Sequence, residues 1–162
     1  MDWVADNHVK PAVASMSLGG GPSQSSDDAV TRMHNAGVTV VVAAGNDNED
    51  ASNHSPARAP LAITVASSAS DDTRSSFSNF GSLIDIFAPG SSITSCWYDS
   101  DTAEKTISGT SMATPHVAGG AAILLAQDSS RTPDDVVNTM TSEATSGALT
   151  DTQSVNLLLY VG

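Results

Sequence analysis

The sequence predicts an α/β fold of three layers, in which a mostly parallel sheet carries helices on both faces. The first observation is the run VTVVVAAG at 38–45, which is almost wholly apolar and rich in β-branched residues. Such runs are typical of strands buried on both faces of a parallel sheet. The second is its setting, because a strand-like stretch at 12–18 and a helix-like stretch at 25–36 precede it and complete a βαβ unit. The length predicts one domain over 1–162.

Two helices are predicted before the apolar run. Residues 2–9 predict the end of a helix that stops near Pro11. The second helix follows a glycine-rich break, and Ser25 or Ser26 is expected to cap it ahead of two aspartates that suit the positive end of the helix dipole. Gly37 comes after its expected last residue, where a glycine commonly ends a helix.

Two stretches after the apolar run are predicted to extend the sheet, LAITVAS at 61–67 and IDIFAP at 84–89. Residues 93–98 and 104–108 are predicted to form a short hairpin around DSDT. The sheet is therefore expected to continue well beyond the first βαβ unit.

Two further helices are predicted in the last third of the chain. Residues 110–126 are apolar on all sides, which predicts a central, buried helix. Pro115 fits that helix if it falls in the first turn, where backbone donors have no partner. Thr132 is expected to cap the last helix, because a proline and two aspartates follow it.

The charge balance excludes two classes of partner. Eighteen acidic residues against six basic ones give a net charge of −12, which argues against nucleic-acid binding and against attachment to anionic membranes. No apolar run approaches the roughly 20 residues of a membrane span, and no signal peptide is visible after Met1. The single cysteine, Cys96, allows no intrachain disulfide and is predicted to be a half-buried strand residue.

The segment GTSMATPHVAG, 109–119, places Ser111 at the start of the apolar helix. The free N–H groups and the dipole of a helix start favour negative charge, as on the tetrahedral oxyanion of acyl transfer. A serine hydroxyl also needs a neighbouring base to act as a nucleophile. The segment is not the G-x-S-x-G nucleophile elbow, because Ala113 replaces the second glycine. Taken alone, such a serine is most often a helix cap.

Two other stretches end strands at the same predicted edge of the sheet, where ligands bind in open α/β folds. Asn46 follows a buried strand that ends in Gly45. Its amide is suited to donate to an oxyanion, although an asparagine at such a position, taken alone, is most often a turn residue. SLGGG, 17–21, ends the first strand and leaves backbone free to pair with an extended peptide, or forms a flexible turn.

Together these stretches resemble one family. SMSLGGG, VVAAGNDN, SPARAP, SSFSNFGSLIDIFAPG and SGTSMATPHVAG are similar to the second half of a subtilisin-like serine protease, most of all its proteinase K-like branch. The resemblance runs from about residue 2 to VNLL at 155–158, and GTSMATPHVAG is its most specific block. It implies a subtilisin-like fold that is incomplete at its amino-terminal side.

The resemblance implies a role for each matching residue. Ser111 matches the nucleophile, with its backbone N–H as one oxyanion donor, and Asn46 matches the side-chain donor. The matching substrate-binding residues fall into two groups, a strand that pairs with the substrate backbone and a wall of the pocket before the scissile bond: Ser17, Leu18 and Gly19, then Ala43, Ala44 and Gly45. Small residues in the wall imply broad specificity with a preference for apolar or aromatic side chains.

The resemblance also implies a structural calcium site. Asp85 matches its carboxylate ligand, and the backbone carbonyls of Pro60 and Ala62 match two further ligands. Oxygen atoms of this kind, completed by water, are suitable calcium ligands. Without the resemblance, Asp85 is an ordinary acid at the end of a loop or strand.

The histidine and aspartate segments of the family, H-G-T-H and D-[ST]-G, do not occur in this chain. Four histidines are present, and none is expected to act as the general base for Ser111; they are His8, His34, His54 and His116. We therefore expect the chain to be the C-terminal part of a catalytic domain. By itself it should be poorly stable or self-associating and catalytically very weak, with the remaining part of the domain as its partner.

The leading hypothesis is thus a serine-type endopeptidase that acts on protein or peptide substrates through Ser111. The resemblance implies an extracellular location. A non-catalytic peptide-binding module, or an inactive remnant, is the alternative. An esterase of another fold is a third hypothesis, which the Ala113 mismatch disfavours.

Overall fold

The computed structural model describes all 162 residues of the chain. Helices and strands alternate over the first 43 residues, and four strands then follow one another between residues 63 and 107. In chain order they are α1 Asp2–Asn7, β1 Ala12–Met16, α2 Gln24–Asn35, β2 Val38–Ala43, a 3-10 turn Ala51–Asn53, β3 Ile63–Ser68, β4 Ile86–Pro89, β5 Ile93–Cys96, β6 Glu104–Ile107, α3 Thr110–Gln127, α4 Pro133–Glu143, β7 Thr145–Ser146 and β8 Leu157–Leu158.

The main sheet has six strands in the order β1-β2-β3-β4-β8-β7, and all neighbours are parallel except β7 and β8. Val40 pairs with Ala14 on one side of β2, and Val41 pairs with Ile63 on the other. Every residue of β2 and of β3 is buried. This burial explains the unbroken apolar run, since a strand covered on both faces has no solvent-facing positions to fill with polar residues.

Helices cover both faces of this sheet. On one face α2 packs on β2, where Val30 and Met33 join Val38, Val40 and Val42 in one buried cluster. On the other face α3 and α4 pack against the alternate side chains of the strands, in a second cluster that includes Val41, Val65, Ile86, Val117 and Val136. The predicted three-layer α/β fold is confirmed.

The predicted hairpin is present as the antiparallel pair β5 and β6. Cys96 lies on β5 as predicted, but its side chain is exposed rather than half-buried. Strands β7 and β8 were not predicted, because strands of two residues are too short to carry an alternating pattern.

Two predictions about helix ends need correction. The cap of α2 is Ser23, not Ser25 or Ser26, and its hydroxyl accepts from the Ser26 backbone N–H. The glycine-rich break is therefore shorter than predicted, and the helix begins as soon as a side chain can take the cap position. Pro115 is the sixth residue of α3 and lies beyond the first turn.

The prediction that α3 is buried on all sides is also wrong. One stripe of the helix faces solvent, and Ile123 there is 46% exposed. Glycine and alanine suit buried and exposed positions alike, so a helix rich in them shows no polar face in its sequence. The exposed residues of α3 before its last turn are Pro115, His116, Gly119, Ala122 and Ile123.

No helix of the structure combines the length and apolar character needed to cross a membrane.

Candidate active site

One open cavity of about 490 Å³ lies at the carboxyl ends of β1 and β2, beside the start of α3. Parallel strands bring their carboxyl ends to one edge, so residues far apart in sequence meet there. All eight residues predicted for catalysis and substrate binding line this cavity: Ser17, Leu18, Gly19, Ala43, Ala44, Gly45, Asn46 and Ser111.

The side chain of Asn46 is held by Thr110, the first residue of α3. Asn46 Oδ1 accepts from the Thr110 backbone N–H at 2.8 Å and from the Thr110 hydroxyl at 2.9 Å. Both hydrogen bonds use the oxygen, so the amide NH₂ group remains without a protein partner. The arrangement presents a side-chain donor next to Ser111.

Ser111 is the second residue of α3, and its backbone N–H donates to no protein atom. Its hydroxyl is also without a hydrogen-bond partner in the structure. One hydroxyl and two unused donors, the Ser111 N–H and the Asn46 amide, therefore lie on the lining of one cavity. This is the donor pattern that an acyl-transfer site needs, namely a nucleophile with two groups to stabilise an oxyanion.

Pro115 has a specific consequence at this site. A helical residue normally donates to the carbonyl four residues earlier, and proline has no N–H to donate. The carbonyl of Ser111 is consequently left free, and the hydroxyl of Ser17 donates to it at 2.7 Å. The end of β1 is thereby tied to the first turn of α3, which joins the predicted substrate-binding strand to the residue predicted as nucleophile.

The sequence analysis did not identify Asn79. This residue is fully buried behind the loop that carries Asn46. Its side chain hydrogen-bonds to the backbone of Ala44, before Asn46, and of Asp47, after it. Gly45 has a φ of +107°, and a Cβ there would overlap the Asn79 amide. No local sequence pattern identifies Asn79, because its partners in this loop lie 30 or more positions earlier in the chain.

None of the four histidines is hydrogen-bonded to Ser111. His116 bonds through Nδ1 to the Met112 carbonyl one turn earlier in α3. The rings of His8 and His34 bond to their own helix and to Asp134, respectively. His54 does line the cavity, but its Nε2 pairs with Glu49 at 2.5 Å.

The cavity is less apolar than its alanine and glycine wall indicates. Asp47 and His54 also contribute to the lining, and His54 is only 16% exposed because its ring packs into the wall. Asp47 lies 3.8 Å from His54, so two acids flank the imidazole. No lysine or arginine lines the cavity.

The three residues predicted to bind calcium line one small cavity at the amino ends of β2, β3 and β4, with a volume of about 100 Å³. Burial raises the pKa of Asp85 to about 6, although its Oδ2 accepts from the Thr64 backbone N–H at 2.7 Å. Outside helices and strands, neither the Pro60 nor the Ala62 carbonyl accepts a hydrogen bond. A buried carboxylate beside free carbonyl oxygens fits a hard cation such as Ca²⁺.

A serine at a helix start, an asparagine amide and a strand edge therefore lie around one cavity of a three-layer α/β fold. The family model described as "Subtilase family" matches residues 1–159. The chain belongs to the subtilase family, and the resemblance to subtilisin-like serine proteases is confirmed.

Two relatives are more than half identical to this chain over 99% of its length. An "Extracellular serine proteinase" of Thermus sp. (strain Rt41A) is 57% identical over 162 residues, which are 99% of this chain and 40% of that protein. "Alkaline serine exoprotease A" of Vibrio alginolyticus is 56% identical over 161 residues, which are 99% of this chain and 30% of that protein. The chain thus spans well under half the length of either relative.

The fold has close counterparts among solved structures. The crystal structure of a cold-adapted subtilisin-like serine proteinase matches with a TM-score of 0.96 at 52% identity, covering 99% of this chain and 59% of that one. A protease from Pseudoalteromonas arctica matches with a TM-score of 0.89 at 30% identity, covering 98% of this chain and 54% of that one. The subtilisin-like fold of the described residues is therefore shared, over part of each larger structure.

Proposed function

We propose that the chain carries the nucleophile and oxyanion donors of a serine endopeptidase. Ser111 Oγ attacks the carbonyl carbon of a peptide bond and gives its proton to a base. The carbonyl oxygen becomes an oxyanion, which accepts from the Asn46 amide and the Ser111 N–H. The base then protonates the leaving amine, the acyl-enzyme forms, and water releases the acid. The observation that carries the proposal is that these two donors are both unused at one cavity with Ser111.

The proton acceptor is proposed to come from polypeptide outside residues 1–162. The support is that each histidine of the chain is bonded elsewhere and none is bonded to Ser111. The partner surface proposed for that polypeptide is the exposed stripe of α3 with the unpaired edge of β1. On this proposal the chain alone has little or no peptidase activity.

The experiment compares the chain with a chimera in which it follows the amino-terminal part of the Thermus relative's catalytic domain. The chimera should hydrolyse a chromogenic peptide, and a serine-directed inhibitor should abolish the turnover. Ser111→Ala should remove the activity, and Asn46→Ala should lower kcat by about 100- to 1000-fold. Inhibitor-sensitive turnover by the 162-residue chain alone would contradict the need for an external base.

Broad specificity with a preference for apolar or aromatic side chains is proposed for the residue before the scissile bond. Ala43, Ala44 and Gly45 support it, because they leave room beside the strand edge, and Leu18 adds an apolar face. Substrates of the chimera that differ only at this position, with Phe, Lys or Glu, test it. The lowest KM should be for Phe and the highest for Glu, since Asp47 repels an anion.

A non-catalytic peptide-binding module is a second candidate. It rests on the strand edge at Ser17, Leu18 and Gly19, which lines the cavity whether or not a base is present. Peptide binding that is unaffected by Ser111→Ala and Asn46→Ala, with an inactive chimera, would favour it.

A structural calcium ion at Asp85, Pro60 and Ala62 is proposed, and the ion would neutralise the buried carboxylate. An extracellular location is proposed as well, because the Thermus relative is described as extracellular.

A further inference from the structure

We infer that Asn79 is the positioning residue of the oxyanion site, an inference that rests on the proposed function. Asn79 does not line the cavity, and the hydrogen bonds of its side chain all go to backbone groups. It acts through the backbone of the loop that carries Asn46, and its side chain holds that loop from behind.

Four hydrogen bonds join Asn79 to this loop. Its Nδ2 donates to the Ala44 carbonyl at 3.0 Å, and its backbone N–H donates to the Gly45 carbonyl at 3.0 Å. Its Oδ1 accepts from the backbone N–H groups of Asp47 at 2.9 Å and Glu49 at 3.2 Å. The backbone of Asn46 is therefore fixed from the residues immediately before and after it.

The contact between Gly45 and Asn79 leaves no room for a side chain at position 45. The φ of +107° at Gly45 is unfavourable for other residues, and a Cβ there would overlap Asn79 Nδ2. The glycine lets the backbone approach the buried amide, and the amide in turn satisfies carbonyl and N–H groups that the chain buries as the strand ends. Ala44 and Asn79 are each fully buried, so no water replaces these bonds.

Thr110 and Asn79 hold different parts of Asn46. Thr110 orients the Asn46 side chain by occupying Oδ1, whereas Asn79 fixes the place of the Asn46 backbone. An oxyanion donor is effective only if it is already in position when charge develops. Loosening Asn79 should therefore weaken anion stabilisation more than it weakens the binding of a neutral peptide.

The test uses the chimera with Ser111→Ala, in which the exposed side of the chain is covered and the peptide is not cleaved. A peptide such as Ala-Ala-Pro-Phe is prepared as the free acid and as the amide, and both affinities are measured by calorimetry at neutral pH. One carboxylate oxygen of the acid occupies the place of the oxyanion, so the acid-over-amide affinity ratio reports the two donors. Asn46→Ala should lower this ratio about tenfold, the usual scale for one hydrogen bond to a charged group.

Asn79→Ser should lower the ratio by a similar factor while the amide peptide still binds. Gly45→Ala is the second variant, for use if Asn79→Ser folds poorly. It disturbs the same contact from the Gly45 side, and it should also lower the acid-over-amide affinity ratio. The matched control is Asn156→Ser, which removes two side-chain hydrogen bonds to the backbone of Leu149, and neither residue lines the cavity. It should reduce thermal stability and leave the ratio unchanged.

The possible failures are distinguishable. A folded Asn79→Ser variant that keeps the full ratio, when Asn46→Ala has lost it, overturns the positioning role alone. An unchanged ratio in Asn46→Ala overturns the proposed oxyanion site and the inference with it. An equal loss of the affinity ratio in Asn156→Ser shows a general loosening of the fold and overturns the specific role of Asn79.

Discussion

At the scale of single residues, hydrogen bonds decide which groups of the site remain available. Asn46 is useful as a donor because Thr110 occupies its oxygen, and the Ser111 carbonyl is tied to Ser17 because Pro115 cannot donate to it. A residue that looks unfavourable in the second turn of a helix thus frees the acceptor that connects β1 to α3. The chemistry proposed for the site therefore depends on which donors and acceptors are already hydrogen-bonded within the protein.

Removing the Ser17 hydroxyl should loosen that connection. Ser17→Ala leaves the Ser111 carbonyl without a protein donor, and we expect a loss of about 1 kcal/mol in the free energy of unfolding. Urea denaturation followed by circular dichroism measures it. Ser15→Ala is the control, because Ser15 is exposed on the same strand and its side chain makes no hydrogen bond. Equal effects of the two substitutions would contradict the prediction.

Calcium should stabilise the chain through Asp85. Burying the charged Asp85 carboxylate costs free energy, as its raised pKa shows, and a bound ion would offset that cost. We expect added Ca²⁺ to raise the Tm at neutral pH and a chelator to lower it again. Asp85→Asn should abolish this response, whereas Asp101→Asn, on an exposed loop, should keep it. A Ca²⁺ response that survives in Asp85→Asn would place the ion elsewhere.

At the scale of elements, helix ends and strand ends set the geometry. The end of β2 leads directly into Asn46, and the start of α3 provides Thr110 and Ser111, so two element boundaries meet at one cavity. Helix α4 begins with a reciprocal cap, in which Thr132 accepts from the Asp135 N–H and Asp135 accepts from the Thr132 N–H. Local side chains therefore define where α4 begins, whereas α3 begins after a glycine, which provides no side-chain cap.

The cap of α4 predicts a dependence of stability on pH. The Thr132 hydroxyl and backbone N–H hold the pKa of Asp135 below its usual 3.8. Because the folded pKa is the lower one, the stabilisation is present above pH 3.8 and is lost as the pH falls through the lowered value. Asp135→Ala should lower the Tm at neutral pH and have little effect in stronger acid. Asp99→Ala, on the exposed hairpin loop, should show neither effect.

At the scale of the whole molecule, one side of the structure lacks a covering layer. Strand β1 pairs only with β2, and the adjoining stripe of α3 is apolar and exposed. The opposite end of the sheet is closed by β8 and β7. An uncovered strand edge next to an apolar helix face favours association with another chain.

We expect the chain to self-associate through this side. Ile123→Glu places a charge on the exposed stripe of α3 and should shift the chain toward monomer in light scattering coupled to size exclusion. Val155→Glu is the control, since Val155 is 39% exposed and lies just before β8, at the other end of the sheet from β1. A chain that is monomeric without substitution, across the accessible concentration range, would contradict the prediction.

Patterns with a clear physical period were predictable from the sequence. The apolar run of β2 and the alternation of strand and helix predicted the three-layer fold, and strand ends predicted the edge where the cavity lies. The exposed face of α3 was not predictable, because alanine and glycine give little contrast between buried and exposed positions. The α2 cap was misplaced by two residues or more, since neighbouring serines are equally able to cap.

The sequence by itself determined the family, the layered fold and the residues of the family's motifs. These features depend on local hydrophobic patterns and on short characteristic segments such as GTSMATPHVAG. Only the tertiary structure decided which groups are free to act. Asn46 is an available donor because Thr110 bonds its oxygen, Ser17 reaches Ser111 because Pro115 does not donate, and Asn79 holds the loop because Gly45 lets the backbone approach. These contacts join residues more than 30 positions apart, and such distances carry no local signal.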